Sequence, residues 1–347
     1  MYPFSSKNIV GIDIGTYSIK VVHLGGSLGA RTVKAATSFR LPREAGQVLP
    51  AVPAFVSELL SSKKISVRTV AALFTSGSLI FRNIHLPPMP EKDLKEAVSW
   101  ELRKESGMSA AEIVADYMPA VDGGKKDEGK LSLMAFAARR AEVERSISFF
   151  KEAGLELRVL DVIPSALLCA FDLSNEWEAG ANYAMLDIGE SRSTLAILKE
   201  RRLSFVREIT IGGRDLTHSI ANMLGKSEEE AEDIKAELRL DATAENAPAE
   251  MKAVRPIIEG LCAELQRSFD YYHAQYREGA VTHLFISGGT ARLKGLDAFV
   301  TGAIGVASFT DNPFRKVRVP KGIDKAELAL IAPCMTLAAG LASRGAS

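Results

Sequence analysis

Two aspartates stand where an acid is expensive. Asp13 lies in "VGIDIGTYSIKVV" and Asp187 in "NYAMLDIGESRSTLAIL", each as Asp-Ile-Gly after one apolar run and before another. A carboxylate inside a strand-like apolar run costs folding free energy unless something uses it. The tripeptide alone carries little weight. With 15 Asp and 27 Gly in 347 residues, roughly one Asp-x-Gly is expected from composition. Four occur, but Asp122 and Asp127 fall in the polar stretch "DGGKKDEGK". Only Asp13 and Asp187 have strand patterns on both sides.

Phosphate and magnesium suit this arrangement. A glycine turn between two strands offers backbone N–H groups as a concave anion nest. Two such turns from different parts of a chain can close on one polyphosphate. Mg²⁺ keeps several waters and takes few protein carboxylates, so Asp13 and Asp187 would hold it through water. Thr16 and Ser18 after the first turn, and Ser191, Ser193 and Thr194 after the second, add hydroxyl groups. Lys20, two residues beyond Ser18, shares its strand face and can reach the same phosphates. The alternative is that both aspartates are ordinary turn residues accepting backbone N–H bonds.

The elements that must position these groups follow from the pattern. Residues 7–41 alternate apolar and polar across glycine turns, a strand meander. Helices are expected over 53–62, from Pro90 to about Glu105, over 141–153 and from Pro164 to Phe171; strands over 70–74, 79–84, 131–137 and 157–163. The three prolines of "LPPMPEKD" end a strand. The second part repeats the plan. A strand pair over 182–198 precedes a strand, Gly212-Gly213 and a helix; Ser227 and Glu230 have capping-box spacing. A long helix carries Met251 through Tyr276, with a kink expected at Pro256. "VTHLFISGGTARLKGL" is strand, Gly-Gly turn, helix, and the last helix runs from about Leu328 to Leu341. The chain is α/β, with two related halves and an insertion in the first.

Composition narrows the function classes. The chain is 47% hydrophobic and carries 43 basic and 43 acidic residues, for zero formal net charge. No basic surplus points to nucleic acid. Cys169, Cys262 and Cys334 are far apart, which argues against a disulfide framework or zinc site. The first residues lack a signal-peptide pattern, no run approaches ~20 apolar residues, and the tail "GLASRGAS" is too short and small to anchor. The expectation is a cytoplasmic protein that reaches a membrane only through partners.

Taken together, the two Asp-x-Gly hairpins, the strand-Gly-Gly-helix, the helix "EEEAEDIKAEL" and the late "SGGTARLKGL" resemble the actin-like ATPase superfamily. Within it, "LPPMPEKDLKEAVSWEL", "REITIGGRDLTHSIA" and "DNPFRKV" are similar to the PilM family of type IV pilus assembly proteins, over about residues 8–342. The resemblance implies an actin-like ATPase fold: two α/β halves around a nucleotide cleft, with an FtsA-type small domain inserted in the first. It implies a first half over 1–85, completed by about 159–180 and the C-terminal helix 326–345, a small domain over 86–158, and a second half over 181–325. It implies ATP and Mg²⁺ as cofactors. Asp13, Gly15, Thr16, Ser18 and Lys20 fall on the first phosphate loop, and Asp187, Gly189 and Ser193 on the second. Gly212 and Gly213 fall where backbone nears phosphate, or form a plain strand-to-helix turn. Glu232 and Lys235 fall on the nucleoside, or form a solvated charged pair. Gly288, Gly289 and Arg292 fall at the adenosine turn, though Arg292 and Lys294 also suit a plain surface.

The implied partner is the N-terminal cytoplasmic peptide of the membrane protein PilN, with other pilus-platform proteins beside it. Leu86 and Met89 are the candidates to line its groove; Trp100 fits that groove or, better, the core. Hydrolysis needs a group that orients or deprotonates water. Asp161 matches that position only loosely, so the catalytic residue is unassigned and ATP turnover should be slow at most. A sugar-kinase-like phosphotransferase and an FtsA- or actin-like filament former share the fold and remain alternatives.

Overall fold

The computed structural model describes residues 8–26, 29–41, 52–121, 129–240, 248–276 and 279–344. The first seven residues, the polar stretch with Asp122 and Asp127, and the last three residues lie outside them.

The first half opens with an antiparallel meander, β1 (Val10–Ile14), β2 (Ser18–Gly25) and β3 (Thr32–Arg40). Helix α1 (Val52–Ser62) then leads to β4 (Thr69–Leu73), parallel to β1. The chain departs through β5 (Ile80–Leu86), α2 (Glu91–Ser106), β6 (Ile113–Pro119) and β7 (Leu131–Arg139). It returns through α3 (Arg140–Glu152) to β8 (Glu156–Asp161), parallel to β4. Helix α4 (Ile163–Ser174) joins the halves. The second half runs β9 (Asn182–Ile188), β10 (Ser193–Lys199), β11 (Arg202–Ile209), α5 (Gly213–Leu224), α6 (Glu228–Glu237), α7 (Ala249–Tyr276) and β12 (Val281–Ser287). A 3-10 turn at Gly289–Arg292, α8 (Leu296–Ile304) and β13 (Ala307–Thr310) follow, and α9 (Lys325–Ser343) closes the fold.

The two large sheets have the same order, β3-β2-β1-β4-β8 and β11-β10-β9-β12-β13. Their central strands are covered on both faces, as the unbroken apolar runs require; every residue of β9 is buried. On the outer face of the first sheet, α1 and α3 pack on Val10, Ile12, Val21 and Val70. On that of the second, α5, α7 and α8 cover Leu186, Ile188, Leu195 and Ile286. Between the sheets lies a shared core. Ala166, Leu167 and Phe171 of α4 and Leu337 and Leu341 of α9 meet Ile9 and Ala71 of the first sheet and Met185, Ala196 and Phe285 of the second.

Helix α9 is long and apolar enough to cross a membrane by length and composition, contrary to the expectation from sequence, yet 61% of its apolar window is buried in the fold. It lies so close to β1 that a Cβ on Gly11 would come within 2.0 Å of the Ala338 carbonyl oxygen.

The inserted element is a three-stranded sheet, β5-β7-β6. Its strand residues alternate: Leu131, Leu133, Ala135 and Ala137 face α2, while Met134 and Phe136 join the central core. This sheet starts at Ile80, before the expected boundary at 86, because the prolines end β5 rather than precede the insertion. Strands β6 and β13 escaped the sequence reading. One has a mixed burial pattern and the other spans only four residues. Pro256 lies inside α7, which continues through it.

Candidate functional site

Strand pairing builds the first loop. Asp13 ends up directly across from Lys20 in the β1–β2 register, and the Lys20 ammonium lies 3.0 Å from its carboxylate. Both side chains are largely buried, at 7% exposure for Asp13 and 15% for Lys20. Burial lowers the Lys20 pKa, but the charges of Asp13 and, further off, Asp187 outweigh it and the net shift is upward, so this lysine stays charged. The turn is tight: the Gly15 N–H donates to the Ser18 carbonyl over 3.0 Å. A Cβ at Gly15 would stand 3.1 Å from Lys20 Nζ. Ser18 is buried on the Lys20 face, and Thr16 is exposed at the turn.

The second loop repeats this geometry. Asp187 pairs in register with Thr194, as Asp13 does with Lys20. The equivalent turn bond runs from the Gly189 N–H to the Arg192 carbonyl, 3.1 Å. Ser193 therefore points to the opposite face. It is fully buried, and its hydroxyl donates to the Ile211 carbonyl at 2.7 Å. The expected phosphate role of Ser193 is thus corrected: strand alternation puts Thr194, not Ser193, beside Asp187. Ser191 is exposed in the turn.

The two aspartates feel each other. Burial first, and then the Asp13 charge, push the Asp187 carboxyl up to about 6; Lys20 and a hydrogen bond from Ser287 act in the opposite sense. Two buried carboxylates thus share one buried ammonium, which leaves an excess of one negative charge. Among the described residues no group of three or more His, Cys, Asp or Glu could hold a metal ion. The donor set fits a hydrated Mg²⁺ that completes its shell with water and phosphate oxygens.

The glycines at the start of α5 bind protein backbone. Gly213 N–H donates to the Gly189 carbonyl at 2.8 Å and Arg214 N–H to the Glu190 carbonyl at 2.7 Å. A Cβ at Gly212 would lie 2.4 Å from the Glu190 carbonyl oxygen. This turn braces the second loop. Its open side faces the nucleoside candidates: a Cβ on Gly213 would come within 2.6 Å of the Thr290 hydroxyl and 3.5 Å of Lys235 Nζ.

Glu232 and Lys235 are not a solvated pair. Their side chains are 11% and 13% exposed and joined at 2.6 Å. Lys235 also donates to the Thr217 hydroxyl at 2.8 Å and the Gly213 carbonyl at 3.1 Å, and the Thr217 hydroxyl meets Glu232. Thr217 escaped the sequence reading, although it lies one helical turn after Gly213, on the same face. Gly288 has φ +91°, and a Cβ there would fall 2.4 Å from the Ile188 carbonyl oxygen. That backbone approach brings the Gly288-Gly289 turn against β9, next to Asp187. Arg292 is exposed, and its charge acts on the Cys334 thiol, whose sulfur lies 3.8 Å from the Gly288 carbonyl oxygen. Lys294 is exposed, and its carbonyl accepts the Leu240 N–H at 2.8 Å. Cys334 also escaped the sequence reading. It comes from α9, far along the chain, and burial pushes its thiol up.

The remaining candidates lie away from the cleft or face another way. Asp161 accepts the Val162 N–H at 2.9 Å and pairs with Arg344, which commits the one acid considered for water activation or for sugar phosphorylation. Leu86 is buried, and with half-buried Met89 it packs in the core under α2, so it lines no open groove. Trp100, expected in the core, is 53% exposed with Lys104 5.4 Å over its ring; the apolar stripe of α2 is Leu94, Val98 and Leu102.

The family described as type IV pilus assembly protein PilM matches residues 11–346. Among solved structures, a PilM-PilN type IV pilus biogenesis complex superposes with a TM-score of 0.83 at 29% identity, covering 98% of both chains. The ethanolamine utilization protein EutJ from Carboxydothermus hydrogenoformans follows the same fold, with a TM-score of 0.58 at 18% identity over 99% of this chain and 91% of that one. MreB 5 of Spiroplasma citri bound to AMPPNP does so with a TM-score of 0.51 at 11% identity, over 97% and 95%. The twin sheets and inserted domain are thus an actin-like arrangement, and the chain belongs to the type IV pilus assembly protein PilM family.

Proposed function

We propose that this chain is an ATP-binding scaffold of type IV pilus assembly that holds the N-terminal peptide of PilN in a nucleotide-sensitive way. The observation that carries the reading is the pairing of Asp13 and Asp187, buried at matching places in two sheets and sharing Lys20. Lys20 and the turns at Gly15 and Gly189 bind the phosphates, and Thr16, Ser18 and Thr194 add hydroxyls. Asp13 and Asp187 hold Mg²⁺ through water. Gly213, Thr217, Glu232, Lys235 and the Gly288-Gly289 turn take the nucleoside, with Arg292 at its edge. When bound, the metal supplies charge neutralisation between the phosphates. No side chain is assigned to activate water, so the chain acts as a clamp with slow hydrolysis at most.

The route to the partner runs through the small domain. Its sheet packs on the central core, and its edge reaches the second half. Asn83 of β5 donates to the Ser204 carbonyl at 3.1 Å and to the Tyr276 hydroxyl at 2.6 Å. The Val121 N–H bonds the Leu203 carbonyl at 3.2 Å. A domain fastened to both halves responds when the halves close, provided that nucleotide binds the closed form more tightly. On this reading the peptide groove lies between this domain and the first half, and the chain works at the inner membrane through PilN and other platform proteins. Titrating a PilN-type N-terminal peptide with and without Mg-ATP tests the reading. A nucleotide-dependent change in peptide affinity is expected; an identical affinity in both conditions contradicts the coupling.

A further inference from the structure

Helix α9 touches both sides of the cleft. Its Ala338 backbone lies against Gly11 of β1, two residues before Asp13. Five residues earlier, the Pro333 carbonyl accepts the Gly288 N–H at 2.8 Å. The height of α9 therefore sets how the nucleoside turn of one half sits against the phosphate strand of the other.

A buried acid holds this contact in place. Asp311 follows β13 and is 1% exposed. Its N–H donates to the Ile286 carbonyl at 2.8 Å, and its Oδ2 accepts the Thr336 hydroxyl at 2.7 Å. Among the described residues its Oδ1 is buried without a hydrogen-bond partner, a cost to folding. Thr336 Oγ1 also lies 3.3 Å from the Pro333 carbonyl. A hydroxyl has one proton to give. The carboxylate draws it because charge-assisted bonds are shorter and stronger. The Pro333 oxygen is then left to Gly288. Without the carboxylate, the proton turns to Pro333, and the oxygen, now shared between two donors, holds the Gly288 N–H less strongly.

We propose that Asp311 is a positioning residue for the nucleoside turn, acting through Thr336 and the Pro333 carbonyl on the backbone of Gly288. The inference rests on the reading of the cleft as a nucleotide site. It explains a buried acid that the phosphate loops do not use.

Equilibrium titration of the full chain with Mg-ATP and with Mg-tripolyphosphate tests it. Asp311→Ala should weaken Mg-ATP roughly threefold to tenfold, the worth of one hydrogen bond, and leave tripolyphosphate unchanged. Adding Thr336→Val to Asp311→Ala removes the freed hydroxyl and should restore the affinity. Asp311→Asn preserves volume and removes the charge, so the test stands on it if Asp311→Ala does not fold. Equal weakening of both ligands marks a merely structural residue and overturns the proposal; so does unchanged ATP affinity of the Asp311 variant in a chain whose wild type binds, or a double variant no tighter than the single one. Failure of the wild type to bind Mg-ATP overturns the nucleotide reading, and this inference with it.

Discussion

Asp13 and Asp187 lie 174 positions apart in the chain, yet Asp13 raises the pKa of Asp187 while Lys20 answers to both. The twin sheet order explains this. Each acid is the last residue but one of the strand that is antiparallel to one neighbour and parallel to the other, so two copies of one hairpin present the same group to a common cleft.

That burial sets the pH dependence of the nucleotide-free protein. The native Asp187 carboxyl titrates near 6 and its ordinary value is 3.8. Between these values the native state holds the proton more tightly than the unfolded state. Stability therefore falls as pH rises through that window and levels off above it. The loss is on the order of 2–3 kcal/mol. Calorimetry in a chelator should show it. Asp187→Asn should flatten the slope and raise the melting temperature at pH 7.5 by roughly a few degrees, a gain in stability at the expense of the site.

The contact of α9 with β1 leaves no room for a side chain. Gly11→Ala places a methyl 2.0 Å from the Ala338 carbonyl oxygen and 2.6 Å from the Ala342 nitrogen. Overpacking of this kind costs about 1–3 kcal/mol, and the melting temperature should drop. Gly77→Ala meets nothing within 4 Å and serves as the control. Equal melting temperatures for the two variants would show that α9 is not seated on β1.

Asn83 is the test of communication. Asn83→Ala removes both side-chain bonds from the small domain to the second half without touching the cleft. Mg-ATP affinity should stay the same while its effect on PilN-type peptide affinity shrinks. An unchanged nucleotide effect would remove the small domain from the coupling route.

Much of this was legible in the sequence. The Asp-Ile-Gly hairpins announced themselves because an acid between apolar strands needs a reason, and the strand period placed Lys20 correctly. The capping box of Ser227 and Glu230 is present, with the Ser227 hydroxyl accepting the Glu230 N–H. What escaped depends on long-range contact or on facing. Ser193 looked like a hydroxyl donor until its neighbour in the register took the inward face. Leu86 looked available until the three-stranded sheet closed over it. Thr336, Cys334 and Asp311 reach the site from a C-terminal segment that no local pattern ties to Asp13. Trp100 fell outside the apolar stripe of its helix, and that spacing foretells exposure.

The central claim is that both aspartates hold one metal-bound nucleotide. Isothermal titration of Mg-ATP into wild type and the double variant Asp13→Asn, Asp187→Asn tests it most directly. The account predicts one site in the wild type and at least a roughly hundredfold loss in the double variant, since each carboxylate contributes as a charged partner. Undiminished Mg-ATP binding by the double variant would contradict it.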